Sequence, residues 1–208
     1  LMKKNIILTI LSILLLQNTV FANVIKFVQV TDSHFIAKNE YRTEVLQETV
    51  NSINKEKDIS FVIFTGDNLD SPKEQYLPDF VKIINKLNVP YYIVIGNHDV
   101  FKQNGLSKAH YLEIIKDYNY FYKYKKPNYV FKQNGFVFIV LDGAKEVIPG
   151  SNGFYKDNTL NWLDKQLKKY KNDPVIIFQH FPIVMTKERP THTVYQKEKY
   201  LDILDKHD

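Results

Sequence analysis

Apolar runs of strand length recur along this chain, and most are continuous where a half-exposed strand would alternate. They are Val24 to Val30, Ile59 to Thr65, Tyr91 to Ile95, Tyr129 to Lys132, Phe136 to Leu141 and Val175 to Phe178. A strand without polar alternation is buried on both faces, so its sheet needs a layer on each side. Between the runs, Tyr76, Phe80, Ile83, Ile84 and Leu87 recur at helical spacing, as do Leu160, Leu163, Leu167 and Tyr170. Glu40 to Ile53, Ser107 to Tyr118 and Tyr195 to Lys206 read as further helices, and Asn134-Gly135 as a hairpin turn. The pattern predicts a layered α/β fold, or a β-sandwich flanked by helices. With 44% apolar residues in 208, the chain can bury one substantial core, and its length fits one domain.

The polar residues are informative by position, because nearly every run ends in a cluster of carboxylates, amides or imidazoles. Asp32-Ser33-His34, Gly66-Asp67-Asn68, Gly96-Asn97-His98-Asp99 and His180 each follow an apolar run, and Leu141-Asp142 fits the same scheme. In open α/β sheets, functional groups gather beyond the carboxyl ends of strands. One Asp after a strand is ordinarily a turn or cap, and one His a structural residue. Convergence of several such clusters on one edge is what points to a site.

Residues 1–22 stand apart. Lys3 and Lys4 precede an apolar stretch from Ile6 to Leu16, and Val20-Phe21-Ala22 precedes Asn23. That is the layout of a secretory signal peptide cleaved after Ala22, leaving a domain over residues 23–208 and an exported protein, periplasmic or extracellular. An uncleaved anchor is the alternative, although the apolar stretch is shorter than the ~20 residues a span requires. Without Lys3 and Lys4, 26 basic residues face 23 acidic ones, an excess of +3 that is too small to point to nucleic acid. There is no cysteine, so a metal site in this chain must use nitrogen and oxygen donors. Leu1 ahead of Met2 reads as an untrimmed reading frame.

Clusters of this type suit a pair of metal ions about 3.5–4 Å apart that polarise a phosphoryl group and lower the pKa of bound water. Asp67, on a glycine turn, is the candidate bridge. Asp32 and His34 are assigned to one ion, and Asn97 and His180 to the other; a neutral Asn limits the negative charge facing a phosphate. His98 is assigned to stabilise the transition state or protonate the leaving oxygen, with Asp99 holding its ring and tautomer.

These blocks resemble the calcineurin-like metallophosphoesterase family, whose pattern runs Asp-x-His, Gly-Asp, Gly-Asn-His-Asp or Glu, a lone His, then Gly-His-x-His. Asp32-Ser33-His34, Gly66-Asp67, Gly96-Asn97-His98-Asp99 and His180 match in order over nearly all of the mature chain. The resemblance implies a four-layer α/β/β/α fold and a dinuclear centre of manganese, iron or zinc. It also implies hydrolysis of phosphomonoesters or phosphodiesters by a metal-bridging hydroxide. The family's metal roles fall on Asp32, His34, Asp67, Asn97 and His180, and its acid or substrate-binding role on His98. The Gly-His-x-His block is not in the chain, which suggests truncation before the last ligands. His207, His192 and His110 read as ordinary histidines.

The competing readings are a scaffold of the same fold that binds metal without catalysis, and an exported solute-binding protein. A scaffold has no need for Asn97 and His98 together, and a solute-binding protein leaves the His and Asp placement unexplained. The expected partner is a small phosphate ester. Specificity is expected from the loops Phe35 to Asn39, Asn68 to Gln75, Val100 to Leu106 and Glu188 to Tyr195.

Overall fold

The structure, a computed structural model, describes residues 24–119, 122–184 and 191–207. The expected leader, residues 1–22, lies outside these. Strands β1 (Phe27–Val30), β2 (Phe61–Thr65) and β3 (Tyr91–Val94) form a parallel sheet in the order β1-β2-β3. Parallel neighbours need long crossovers, here supplied by helices α1 (Glu40–Lys55) and α2 (Leu77–Ile84). Helix α3 (Lys108–Tyr118) follows this sheet.

A second sheet has the order β4-β5-β7, from β4 (Tyr129–Gln133), β5 (Phe136–Val140) and β7 (Val175–Phe178). Asn134 and Gly135 both take positive φ, 48° and 81°, as a tight β4–β5 hairpin requires. A two-residue strand β6 (Gly153–Phe154) and helix α4 (Asp157–Lys169) lie between β5 and β7. After β7, β8 (Val194–Tyr195) pairs with β6, and helix α5 (Lys197–Asp205) ends the described chain.

Strand alternation builds the layers. Phe61 and Ile63 of β2 pack with Phe131, Phe138, Val140 and Phe178 of the other sheet, whereas Val62 and Phe64 join Leu46, Val50, Phe80 and Ile84 from the helices. The seam between the sheets is aromatic: Phe61 and Phe138 lie 5.0 Å apart edge to face, and Phe131 stacks on Phe138 at 4.8 Å. Such pairs add about 0.5–1.5 kcal/mol each beyond their buried area. The expected sandwich between helical layers is thus present.

Burial on both faces holds for β2 and nearly all of β5, but β1 and β7 are only partly buried. Both are outer strands of their sheets among the described residues, although β3, also an outer strand, is nearly all buried. The first strand also starts later than its apolar run: Val24 is 79% exposed, and the ladder begins with Phe27 opposite Phe61.

Candidate metal centre

Past Val30 and Thr65, backbone pairing of β1 with β2 continues into the loops. The N–H groups of Asp32, His34 and Phe35 donate to the carbonyls of Gly66, Asp67 and Asn68 at 3.0, 3.0 and 2.9 Å. Along this extension Asp32, His34 and Asp67 take left-handed φ values of 53°, 42° and 49°. That conformation costs about 1–2 kcal/mol for a residue with a Cβ, and Asp and His are among those that tolerate it best. Glycines allow the close approach of the loops. A Cβ on Gly96 would stand 2.2 Å from the Asp67 backbone nitrogen, and one on Gly66 2.5 Å from His180 Nδ1.

Ligand atoms of Asp32, Asp67 and His180 lie within 4.8 Å of one another, as do those of His34, Asp67 and His98. Asp67 belongs to both groups. His180 Nε2 is 3.4 Å from Asp67 Oδ1, and His34 Nε2 is 3.9 Å from Asp67 Oδ2 and 4.0 Å from Asp32 Oδ1. Two donors on one ion at about 2.0–2.2 Å stand roughly 3–3.6 Å apart, so the side chains are close to the spacing a shared ion requires. A buried carboxylate common to two sets of nitrogen and oxygen donors fits a pair of divalent cations.

Hydrogen bonds orient the imidazoles. His180 Nδ1 lies 2.9 Å from the Thr65 carbonyl and His98 Nδ1 lies 2.6 Å from the Asp70 carbonyl. A carbonyl only accepts, so each Nδ1 carries the proton and Nε2 is the free lone pair, the tautomer a metal ligand needs. Burial would push the Asp67 carboxyl up, but its contact with His180 and the His98 backbone N–H hold it below the usual carboxylate value. Burial would likewise lower His180, but Asp67 and the Thr65 carbonyl hold it above the ordinary imidazole value.

One assigned role is corrected by the geometry. Asp99 does not hold the His98 ring. It is fully buried beneath the site, where Oδ1 accepts from the Leu69 N–H at 2.9 Å and Oδ2 from the Gly96 N–H at 2.7 Å and Asn68 Nδ2 at 3.1 Å. Adjacent residues on a tight turn point apart, so Asp99 faces inward where His98 faces the site. It ties the turn after β3 to the loop after β2. Asn68, whose amide also donates to the Val94 carbonyl at 3.1 Å, is the supporting residue that motif reading missed.

Asn97 and His98 open onto a cleft of about 520 Å³ walled by Asp70, Phe101, Asn104, Ser151 and His192. These walls draw on the expected loops Asn68 to Gln75 and Val100 to Leu106 and on the described end of Glu188 to Tyr195. The wall at Pro149 to Ser151 has no counterpart among the expected loops; pairing of β6 with β8 brings it there. Phe35 is 1% exposed and belongs to the core. A larger cavity of about 660 Å³, bordered by Tyr91, Tyr122 and Tyr124, lies elsewhere and contains none of the ligand-type residues.

The remaining polar residues separate clearly. His110 pairs with Glu74 at 3.3 Å and Glu113 at 3.4 Å, and His207 with Asp164 at 2.8 Å. Asp142, although it ends an apolar run, is taken up by the Lys108 ammonium.

Comparison with known proteins agrees with this arrangement. The calcineurin-like phosphoesterase profile matches residues 25–208. A probable cyclic nucleotide phosphodiesterase of Rhodopseudomonas palustris is 30% identical over 176 residues, covering 81% of this chain and 61% of its own length. A probable glycerophosphodiester phosphodiesterase of Arcobacter nitrofigilis is 29% identical over 165 residues, 76% of this chain and 57% of its own. A 3',5'-cyclic-nucleotide phosphodiesterase of a Nostoc species is 25% identical over the same shares. The chain spans about three fifths of the length of these curated relatives. With its motif blocks gathered around Asp67 and the family profile matched from residue 25 to 208, the chain belongs to the calcineurin-like phosphoesterase family.

Proposed function

We propose that this chain carries the metal-binding and catalytic groups of an exported hydrolase of phosphate esters, with phosphodiesters the favoured class. The observation that carries the reading is the sharing of Asp67 between two ligand groups. The printed names of the relatives, cyclic nucleotide and glycerophosphodiester phosphodiesterases, support the diester preference.

Asp67 would bridge two ions, with Asp32, His34, Asn97 and His180 supplying the other donors; beside it Asp32 groups with His180 and His34 with His98, a different pairing from the one the sequence suggested. When bound, such a pair neutralises charge on the phosphoryl oxygens and makes water a stronger nucleophile at neutral pH. The chain's own contribution is orientation and proton handling. The carbonyls of Thr65 and Asp70 fix the rings of His180 and His98, and the buried Asp99 fixes the turn that presents Asn97 and His98. With Nδ1–H held by a carbonyl, protonated His98 can give its Nε2 proton to the leaving oxygen and revert to the same neutral tautomer.

The test is the natural full-length protein supplied with manganese, iron or zinc. Expected are about two ions per chain, hydrolysis of bis-para-nitrophenyl phosphate, and at least about a hundredfold loss of activity in Asp67→Asn. An intact mass beginning at Asn23 in the same preparation is expected from cleavage of the leader. Failure to retain ions, or inertness toward both the diester and para-nitrophenyl phosphate with every metal, would sink the hydrolase reading. A mass that retains residues 1–22 would sink leader cleavage.

A further inference from the structure

The roles above leave one wall of the cleft unused, and that wall carries a second imidazole. His192 faces the space bordered by Asn97 and His98. Its backbone is left-handed, φ 66°, a conformation that costs energy in a residue with a Cβ and persists only where neighbours impose it. The neighbours are specific. Thr193 takes the Asn152 side-chain oxygen on its N–H at 3.1 Å, donates its hydroxyl to the Pro182 carbonyl at 3.0 Å, and accepts the Gly153 N–H at 2.8 Å. The β6–β8 pair then continues with Gly153 opposite Val194. The segments carrying His192 and Ser151 are thereby fixed to each other.

The chemistry of the ring differs from that of the other two imidazoles. His98 and His180 have Nδ1–H pinned on carbonyls, so in the neutral form their Nε2 can ligate or accept but not donate. His192 Nδ1 meets the Thr191 hydroxyl at 2.8 Å. A hydroxyl donates as readily as it accepts, so neutral His192 can carry its proton on Nε2 and present a donor to the cleft. Among the described residues lining the cleft there is no lysine or arginine, while Asp70 adds negative charge. Such a donor would add to those of Asn97, Asn104 and Ser151 in holding an anionic ester.

We propose that His192 is a substrate-binding residue whose Nε2–H holds an oxygen of the phosphate ester in the cleft it shares with His98. The inference rests on the hydrolase reading above. It assigns no bond-making step to His192, only binding.

The test uses the natural full-length protein loaded with manganese. His192→Gly removes the ring and leaves the backbone at ease, since glycine accepts positive φ. Expected are an unchanged metal content, a roughly tenfold or greater rise in KM for bis-para-nitrophenyl phosphate with little change in kcat, and return of KM on adding imidazole. A merely structural role would not be rescued by imidazole. An unchanged KM, or a rise that imidazole leaves in place, overturns the inference. Should the unmutated protein hydrolyse no ester, the hydrolase reading fails by itself, and calorimetric binding of inorganic phosphate still decides on His192. Weaker binding in His192→Gly then supports it as an anion contact, and equal binding overturns it.

Discussion

Asp99 shows how much of the site depends on one buried carboxylate. Burial, followed by the charge of Asp67, pushes it up to about 6 from an ordinary value of 3.8. Between those values the folded chain holds a proton that the unfolded chain has released, so metal-free stability falls as pH rises through that window. His180, held above its ordinary value, acts in the same direction, because its contribution is present below the ordinary imidazole value and lost as pH rises through the folded one. Asp67, held low, opposes them only in more acid solution, below the ordinary carboxylate value. The metal-free protein is therefore expected to be more stable at pH 5.5 than at pH 8, by about 1 kcal/mol from Asp99 alone. Urea midpoints in the presence of a chelator measure this, with a smaller difference expected in Asp99→Asn; a flat or reversed trend counts against the assignment. At this scale Asp32, His34, Asp67 and His180 were legible because each follows an apolar run. The role of Asp99 was not, since two of its partners are the backbone N–H groups of Leu69 and Gly96, which leave no mark in a sequence. His192 reads as an ordinary histidine in the sequence for a related reason: only the β6–β8 pairing, two residues long, carries it to the cleft.

Among the elements, α3 is locked to the end of β5 by an ion pair shielded from water. The Lys108 ammonium meets Asp142 and donates to the Ala144 carbonyl at 2.6 Å, while the Lys108 N–H donates to Glu146 at 2.7 Å. Asp142 is 6% exposed, and its burial outweighs the attraction of Lys108 and pushes its carboxyl up. Removing one partner strands a charge, so Lys108→Met is expected to cost about 3–5 kcal/mol in urea unfolding. The double variant Lys108→Met with Asp142→Leu is expected to recover most of that; a double variant no more stable than the single one would show that packing, not charge, sets the loss. Most elements could be read directly, as β2 and β5 present unbroken apolar runs and α4 a clear stripe of Leu160, Leu163 and Leu167. The helix expected around Tyr76 to Leu87 is shorter than its stripe. Glu74–Tyr76 form a 3-10 turn before Leu77, and backbone bonds from Lys86 to Ile83 and Leu87 to Ile84 tighten its end. Strands as short as β6 and β8 have no period to detect.

For the molecule as a whole, the decisive feature is that the candidate ligands come from both sheets. Asp32, His34 and Asp67 stand at the end of the first, His180 at the end of the second, and the aromatic seam lies between. Among the described residues no helix is long and apolar enough to cross a membrane. Mechanically, ions at Asp67 would act as a rivet through a laminate. At a concentration a hundred times the dissociation constant, binding adds about 2.7 kcal/mol, or roughly 5–10 °C in Tm for a domain of this size. Stripping the ions should lower Tm by that amount and speed protease cleavage; equal Tm and equal cleavage with and without chelator would show that the rivet bears no load. A reagent that takes the metal would then disarm the chemistry and loosen the joint between the sheets at the same moment.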